Sequence, residues 1–201
     1  MTFRSLVASA IAGPFVLLTG ACSGGWPVPD YILPPPLVDA DVGAFDGLGP
    51  VAQDFFETFE SINGSRPTPR PVSGTGVFDG RAIVRSDGGA LSALGDAQMI
   101  VDFDSGRFSA RFENFENHDV AGNPAGALSG ALEVQDGTTA GPGFQGDLAG
   151  TLTSDQDAFD VSGAVEGMFG ESGAPVLAGQ ITGTVSGSES GSVGGLFFGS
   201  R

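Results

Sequence analysis

The stretch Phe159-Asp160-Val161-Ser162-Gly163-Ala164-Val165-Glu166-Gly167-Met168-Phe169 places an apolar residue or a glycine at every second position, with mostly polar or small residues between them. A period of two is typical of a β-strand with one buried face and one solvated face. Seven other segments repeat it, and together they predict eight antiparallel strands. The other seven are residues 77–85, 97–103, 107–112, 128–134, 144–152, 177–185 and 193–199.

Glycines lie on the apolar face of these segments, as at Gly146, Gly150 and Gly163. Glycine inside a strand is tolerated where a sheet bends sharply or where another backbone comes close. Eight bending strands predict closure into a barrel that is filled by side chains and has no sheet edges. The predicted fold class is therefore all-β, with an eight-stranded antiparallel soluble β-barrel over residues 74–201.

Two other interpretations of residues 74–201 compete with this one. The 34 glycines and 13 prolines suit a disordered chain, but the 16 phenylalanines and the sustained alternation favour a packed core. A transmembrane barrel also has antiparallel strands, with its apolar face turned to lipid. The sequence shows no aromatic girdle, and Gly199-Ser200-Arg201 stands where a terminal aromatic residue is usual, so the soluble barrel is favoured.

Between residues 51 and 63 the period becomes helical. Val51, Phe55, Phe59 and Ile62 recur at steps of four, four and three, which predicts one short amphipathic helix. Its apolar face is expected to pack on the barrel or to plug it. Proline-rich segments flank the helix: residues 22–50 are predicted to form a tether, and residues 64–73 a linker.

The first residues have the pattern of an export signal. Leu6 to Leu18 is an apolar run that follows Arg4 and is too short to span a bilayer. It ends in Leu17-Leu18-Thr19-Gly20-Ala21-Cys22, which resembles a bacterial lipobox, the motif at which a cysteine is acylated and becomes the new N-terminus. We predict a lipoprotein signal peptide over residues 1–21 and lipidation of Cys22. The alternative is an ordinary signal peptide followed by an incidental cysteine.

The expected location follows from this anchor. More than one acyl chain is needed for stable membrane attachment, and a diacylglycerol on Cys22 would supply it. By resemblance to bacterial lipoproteins, Ser23 after the cysteine favours the outer membrane. The chain is therefore expected to be lipid-anchored there, on the cell surface or on the periplasmic face.

Composition excludes several kinds of function. A formal charge of −16 repels phosphate backbones, so nucleic acid is not an expected partner. Lysine is absent, which removes Schiff-base chemistry and phosphate capture by a P-loop lysine. One histidine and one cysteine make neither a Cys/His zinc site nor a Cys-His nucleophile pair once the cysteine is lipidated. We therefore predict no enzyme activity, no cofactor and no metal.

Two short motifs have simple structural interpretations. Residues 141–146 match the glycine-rich dinucleotide pattern, but they open a strand and no helix follows, so a turn is predicted. Residues 102–106 offer two carboxylates for calcium but lack the twelve-residue loop and final glutamate of an EF-hand. A hairpin turn is the better interpretation there.

The candidate partner-binding residues lie in one polar and aromatic segment, which is interpreted as a loop: Asn114, Phe115, Glu116, Asn117, His118 and Asp119. A lone imidazole beside Glu116 and Asp119 could act as a general base or bind a metal weakly. A solvent-exposed loop histidine is the favoured interpretation, because no serine motif or second histidine accompanies it. Conspicuous loop residues remain the first place to look for a partner contact.

Several motifs of the strand region resemble the barrel domain of transferrin-binding-protein-like surface lipoproteins of Gram-negative bacteria. They are Gly95-Asp96-Ala97, residues 101–109, Leu128-Ser129-Gly130, Phe144-Gln145-Gly146, residues 165–170, Leu177-Ala178-Gly179 and residues 194–199. The factor-H-binding lipoproteins are similar in build. The resemblance implies an eight-stranded antiparallel barrel used as a surface receptor or adhesion module. It does not imply transferrin, because the binding loops of the bilobed receptors have no counterpart here.

Two functions follow from these observations. The first is a lipid-anchored binding lipoprotein that contacts a protein or a small nutrient through its loops. The alternative is a structural or assembly lipoprotein of the envelope that docks through its N-terminal tether and helix. Small apolar ligands in the mouth of the barrel are a weaker third option, because phenylalanine and leucine side chains are expected to fill the interior.

Overall fold

A computed structural model of the chain describes residues 49–68, 73–119 and 121–201. The predicted signal peptide, Cys22 and nearly all of the predicted tether lie outside these residues. The elements are α1 (Gly49–Asn63), β1 (Arg66–Pro67), β2 (Thr75–Ser86), β3 (Ser92–Asp102), β4 (Arg107–His118), β5 (Pro124–Ala140), β6 (Gly143–Thr153), β7 (Ala158–Glu171), β8 (Pro175–Gly187) and β9 (Gly191–Ser200).

Strands β2 to β9 form a closed barrel. Each pairs antiparallel with the next along the chain, and β9 pairs with β2, as in the register partners Ala82 and Phe197. The prediction of an eight-stranded antiparallel barrel is confirmed. Because every connection joins neighbouring strands, the topology is an up-and-down barrel. The barrel is closed by pairing of its first strand, β2, with its last strand, β9.

Phenylalanine rings fill much of the interior. Phe144 lies at the centre of a chain of contacts, with ring centroids 4.6 Å from Phe108, 5.3 Å from Phe169 and 6.0 Å from Phe197. Phe112 continues the chain at 5.1 Å from Phe197. All five rings are buried. The alternating apolar residues therefore face inward, as predicted.

Most outward positions away from the helix are polar, although Val77 and Ile100 are also exposed there. Arg111, Asp147, Asp160 and Glu166 are exposed on the outer wall, between residues whose side chains are buried inside. Arg111 forms ion pairs there with two glutamates of β4 and β5. This polarity is the reverse of the pattern in a barrel that faces lipid, where apolar residues point outward. Among the described residues, no helix combines the length and the apolar character needed to cross a membrane.

Close approach of neighbouring backbones explains the inward glycines. Gly163 of β7 and Gly183 of β8 are register partners. A Cβ atom on Gly163 would overlap the carbonyl oxygen of Thr182, and one on Gly183 would overlap that of Ser162. Gly150 of β6 stands in the same relation to Ala131 of β5. The strands can curve tightly at these positions because no side chain separates them.

Helix α1 packs on the outside of the barrel. Phe55, Phe59 and Ile62 are buried on one helix face, as their spacing predicts, and Ala52 is buried beside them. The Phe55 ring lies 5.2 Å from that of Phe198 on β9. The helix covers outward residues of four strands: Ile83, Leu94, Val176, Ala178, Leu196 and Phe198. The expected packing is confirmed, and the helix lies against the wall and does not plug an end.

The segment after the helix does more than link. Arg66 and Pro67 form β1, which pairs antiparallel with Glu171 and Gly170 at the end of β7. The next residue, Thr68, donates a backbone hydrogen bond of 3.1 Å to the Phe169 carbonyl. The sheet therefore has a ninth, very short strand that the proline-rich composition did not predict. Strand β1 pairs with β7 just beyond Met168, which is the last residue of β7 that pairs with β6.

The glycine interpretation can be tested with Gly163→Ala. The added methyl would meet backbone atoms of β8, which cannot move without opening the ladder. We expect a loss of about 1–3 kcal/mol in the free energy of unfolding, measured by urea denaturation of the full chain. Gly194→Ala is the control, because a Cβ there meets nothing within 4 Å. It should change stability by less than about 1 kcal/mol. Equal effects of the two substitutions would contradict the argument.

Candidate functional site

The six predicted partner-binding residues lie at one end of the barrel. This end carries the connections 87–91, 119–123, 154–157 and 188–190, and we call it the distal end. Asn114 to His118 are the last residues of β4, and Asp119 opens the connection to β5. The interpretation of this segment as a loop is wrong, because all of it except Asp119 belongs to a strand.

A β-bulge explains why the strand was missed. Phe112 and Phe115 are both buried, yet they lie three residues apart, which breaks a period of two. The bulge includes Asn114, which has a φ of 56° and lies where the register between β3 and β4 shifts by one residue. Its amide donates a hydrogen bond of 3.0 Å to Asp96 Oδ2. Asparagine suits this position because it tolerates the left-handed region better than most residues.

His118 is buried, contrary to the expectation of an exposed loop histidine. It is 3 % exposed, and its Nε2 atom has no hydrogen-bond partner in the described part of the chain. The Glu116 carboxylate oxygen Oε2 lies 4.0 Å from Nε2, beyond hydrogen-bond distance. The physical reason is that β4 continues to this residue and pairs it with Pro124 of β5. A partner cannot touch this imidazole while the strands stay paired.

Asn117 holds the neighbouring β2–β3 turn. Its Oδ1 atom accepts a hydrogen bond of 2.8 Å from the Ser92 backbone N–H, and its amide donates one of 3.1 Å to the Ala90 carbonyl. These bonds satisfy backbone groups at the start of β3. The side chain is therefore used in building the distal end, and a partner would have to compete with these bonds.

Asp119 holds its own turn in the same way. Its Oδ1 atom accepts hydrogen bonds of 2.9 Å from the backbone N–H groups of Ala121 and Asn123. Hydrogen bonds from the Asn123 amide and backbone, then that from Ala121, lower the pKa of the Asp119 carboxyl, and the nearby His118 acts in the same direction. Of the six predicted residues, Asn114, Glu116 and Asp119 are exposed.

Glu189 is a distal-end residue that the sequence analysis missed. From the β8–β9 turn it accepts a short hydrogen bond from the buried Ser86 hydroxyl and a second, of 3.3 Å, from the Leu91 backbone N–H. It therefore ties the β8–β9 turn to the β2–β3 turn. A glutamate between two serines in a glycine-rich turn carries no sequence signal for this contact.

Two clefts on the outer surface were also missed. One, of about 700 Å³, lies at the distal end between the start of β5 and the β6–β7 turn. Its lining is Ala125, Gly126, Ala127, Ser129 and residues 153–157. The other, of about 320 Å³, lies on the wall and includes Asp136, Asp147 and Glu166. Each joins residues of different strands, so no local pattern marks it.

The two short motifs form turns, as predicted. Asp102 accepts hydrogen bonds from Asp104 N at 3.0 Å, Ser105 N at 3.2 Å and the Ser105 hydroxyl at 2.6 Å. The Ser105 bonds are the main cause of the lowered pKa of Asp102. Gly141 has a φ of 58° in the tight connection between β5 and β6. Within residues 49–68, 73–119 and 121–201, no three acidic, histidine or cysteine side chains gather as a metal site would require.

Acid should loosen the 119–123 turn. Because the folded pKa of Asp119 is depressed, its contribution to stability is present above the unfolded pKa and is lost as the pH falls through the folded pKa. In an NMR titration from about pH 6 to about pH 2, the amide shifts of Ala121 and Asn123 should follow one transition with a midpoint below 3.8. Asp119→Asn keeps an acceptor oxygen and should abolish that transition. A midpoint at or above 3.8 would contradict the assignment.

Comparison with known proteins adds no relative. No family model matches the chain, and no curated protein matches it. The resemblance to transferrin-binding-protein-like lipoproteins therefore stays a prediction from the residues. The eight-stranded antiparallel barrel is the architecture which that resemblance implies.

Proposed function

We propose that this chain is an exported lipoprotein, held in the outer membrane by acyl groups on Cys22, whose β-barrel binds a protein or nutrient partner and catalyses no reaction. The proposal combines the lipobox-like residues 17–22 with the folded barrel that follows them. Binding is expected on the distal end and its turns, on the cell surface or on the periplasmic face. Nucleic acid is not a proposed partner.

The filled interior is the observation that carries the proposal. Phe144 lies in the barrel interior with its ring centroid 4.6 to 6.0 Å from those of Phe108, Phe169 and Phe197. An eight-stranded barrel has an interior just wide enough for side chains or for one small ligand. Because aromatic side chains take that space here, a partner has to bind on the outer wall or at an end. This supports recognition by surface residues and weighs against a small apolar ligand in the lumen.

The charge of the chain supports a lipid anchor over electrostatic attachment. A formal charge of −16 is repelled by anionic lipid head groups. Attachment to a membrane therefore needs a hydrophobic contribution large enough to exceed that repulsion. Acyl chains supply about 0.8 kcal/mol per buried CH₂ group, and two or more chains give stable anchoring.

The alternative is a structural lipoprotein that docks through its tether and helix. The apolar face of α1 already packs on the barrel, with Phe55 and Phe59 almost completely buried. That face cannot bind another envelope protein without leaving the wall. A docking role would then fall to the acidic outer face of the helix, with Asp54, Glu57 and Glu60, or to the tether. This favours the binding role.

Substitution of Cys22 tests the anchor. Cells that produce the chain and are fed an alkyne-labelled fatty acid should label the wild-type protein, which should sediment with outer membranes. Cys22→Ala should lose the label and leave the membrane fraction, because no other cysteine is available for acylation. Ser23→Ala keeps the cysteine and should still be labelled. An unlabelled wild-type protein would overturn the proposed anchor.

Charge reversal separates the two proposed roles. The distal-end variant combines Glu116→Lys with Asp155→Lys, and its matched control combines Asp54→Lys with Glu57→Lys on the exposed face of α1. Cross-linking in intact cells should recover a partner with the wild type and the helix variant but not with the distal-end variant. The opposite pattern would favour docking through the helix. Cleavage of the barrel by protease added to intact cells would place it on the cell surface.

A further inference from the structure

We propose that the free edge of β5 at the distal end is a strand-addition site that takes a short, extended and basic segment of a partner protein. The inference rests on the proposed binding function and names a surface and a class of partner for it. At the distal end β6 stops short of β5, so residues 124–128 of β5 have no partner on the β6 side, and an acidic cleft lies against them.

Strand β5 extends beyond β6. The last register pair between them at this end is Ser129 with Thr153. Pro124 to Leu128 continue as strand and pair with β4 on the other side. Among the described residues, none pairs with this stretch on the β6 side. Four of its five residues are exposed, so the free edge is open to solvent.

The peptide groups of Ala127 point toward that free edge. A hydrogen bond of 2.8 Å from Ser154 N to Asp157 O closes the β6–β7 turn, so Ser154 faces β7. Successive residues of an antiparallel ladder face opposite sides, so Thr153 faces β5 and its partner Ser129 faces β6. Two residues earlier, Ala127 faces the same side as Ser129. Its N–H and C=O point past the end of β6.

The surroundings leave room for a strand. The cleft of about 700 Å³ has Ala125, Gly126 and Ala127 on one side and the β6–β7 turn on the other. These edge residues carry at most a methyl group, so no side chain covers the backbone. Gly126 has a φ of 122°, which interrupts the regular ladder and limits the edge to a short pairing centred on Ala127. An extended peptide that adds to a sheet edge gains affinity from main-chain hydrogen bonds.

Charge selects the class of partner. Asp155 and Asp157 line the cleft, and the exposed Glu116 is the register partner of Ala127 on β4. The cleft lining contains no arginine or lysine. A segment with lysine or arginine beside the paired backbone complements these carboxylates. A second copy of this chain would bring the same carboxylates against them, so edge-to-edge pairing of two copies is disfavoured.

The test uses the full chain in an uncharged detergent and three labelled peptides. The first is a blocked peptide of alternating lysine and valine, the second replaces lysine with glutamate, and the third is the basic peptide with every backbone amide N-methylated. We expect the basic peptide to bind. The acidic and N-methylated peptides should bind at least about tenfold more weakly, because one loses the charge attraction and the other the backbone donors. In NMR exchange, the Ala127 amide should become protected only with the basic peptide.

Variants of the chain separate strand addition from charge attraction. Ala127→Pro removes the edge N–H and should weaken the basic peptide about tenfold, while the barrel ladder stays intact because that N–H does not face β4. Asp155→Lys should weaken it as well. Asp147→Lys on the outer wall is the matched control for charge and should leave binding unchanged.

Four results would overturn the proposal. Equal binding of the basic and N-methylated peptides would show charge attraction alone. Protection of the Ala127 amide that grows with protein concentration would place a second copy on the edge. Protection in the monomer without peptide would show that another segment of the chain covers it. No binding of the basic peptide would also refute the strand-addition site, whereas fatty-acid labelling at Cys22 decides the anchor separately.

Discussion

Tight curvature of eight strands around a phenylalanine core is the constraint on which the rest of the molecule depends. Glycine pairs such as Gly163 and Gly183 let neighbouring backbones approach more closely than a side chain would allow, which permits the strands to curve tightly as the barrel closes. The rings inside then fill the space that closure creates, with Phe144 touching three others. Glycines in the strands thus permit the curvature, and phenylalanine rings fill the interior at the close packing that proteins require.

Helix α1 gives the barrel a second core on its outer wall. Strands β2, β3, β8 and β9 bury side chains on both faces where the helix covers them, as Ile83 and Leu196 show. Elsewhere the outer wall carries mostly charged and hydroxyl side chains, with Val77 and Ile100 exposed among them. The wall is therefore divided into a part that the helix covers, which contributes to stability, and a part that is exposed to solvent. Function is expected on the uncovered part, and the buried face of Phe55 and Phe59 explains why the helix itself is a poor docking element.

The sequence predicted the barrel because its signal is local. A period of two can be read within one strand, and eight repeats of it, with glycines on the apolar face, are enough to predict closure. The helix was predicted from four apolar residues at helical spacing. The end of β4 was missed for a related reason: the bulge at Asn114 shifts Phe115 out of the period, so a strand was interpreted as a loop. The wrong prediction of an exposed His118 had the same cause.

The distal-end features could not be read from the sequence because they depend on contacts between distant segments. Glu189 meets Ser86 across a separation of 103 residues, and no spacing rule predicts such a pair. The cleft beside β5 arises from a mismatch in strand length, since β5 has 17 residues and β6 has 11.

Bulges and an overhang both contribute to this difference in length. Strand β5 shifts register against β4 at three places, and each shift adds a residue to β5 that has no counterpart on β4. The ladder to β6 ends at Ser129 because β6 stops at its partner Thr153, while β5 continues to Pro124. A barrel normally removes sheet edges by closing, but a strand that runs past the end of its neighbour keeps a short edge there. The bulge that hid the end of β4 and the overhang of β5 thus lie on the same hairpin, and both depend on the register between strands, which no local pattern in the sequence records.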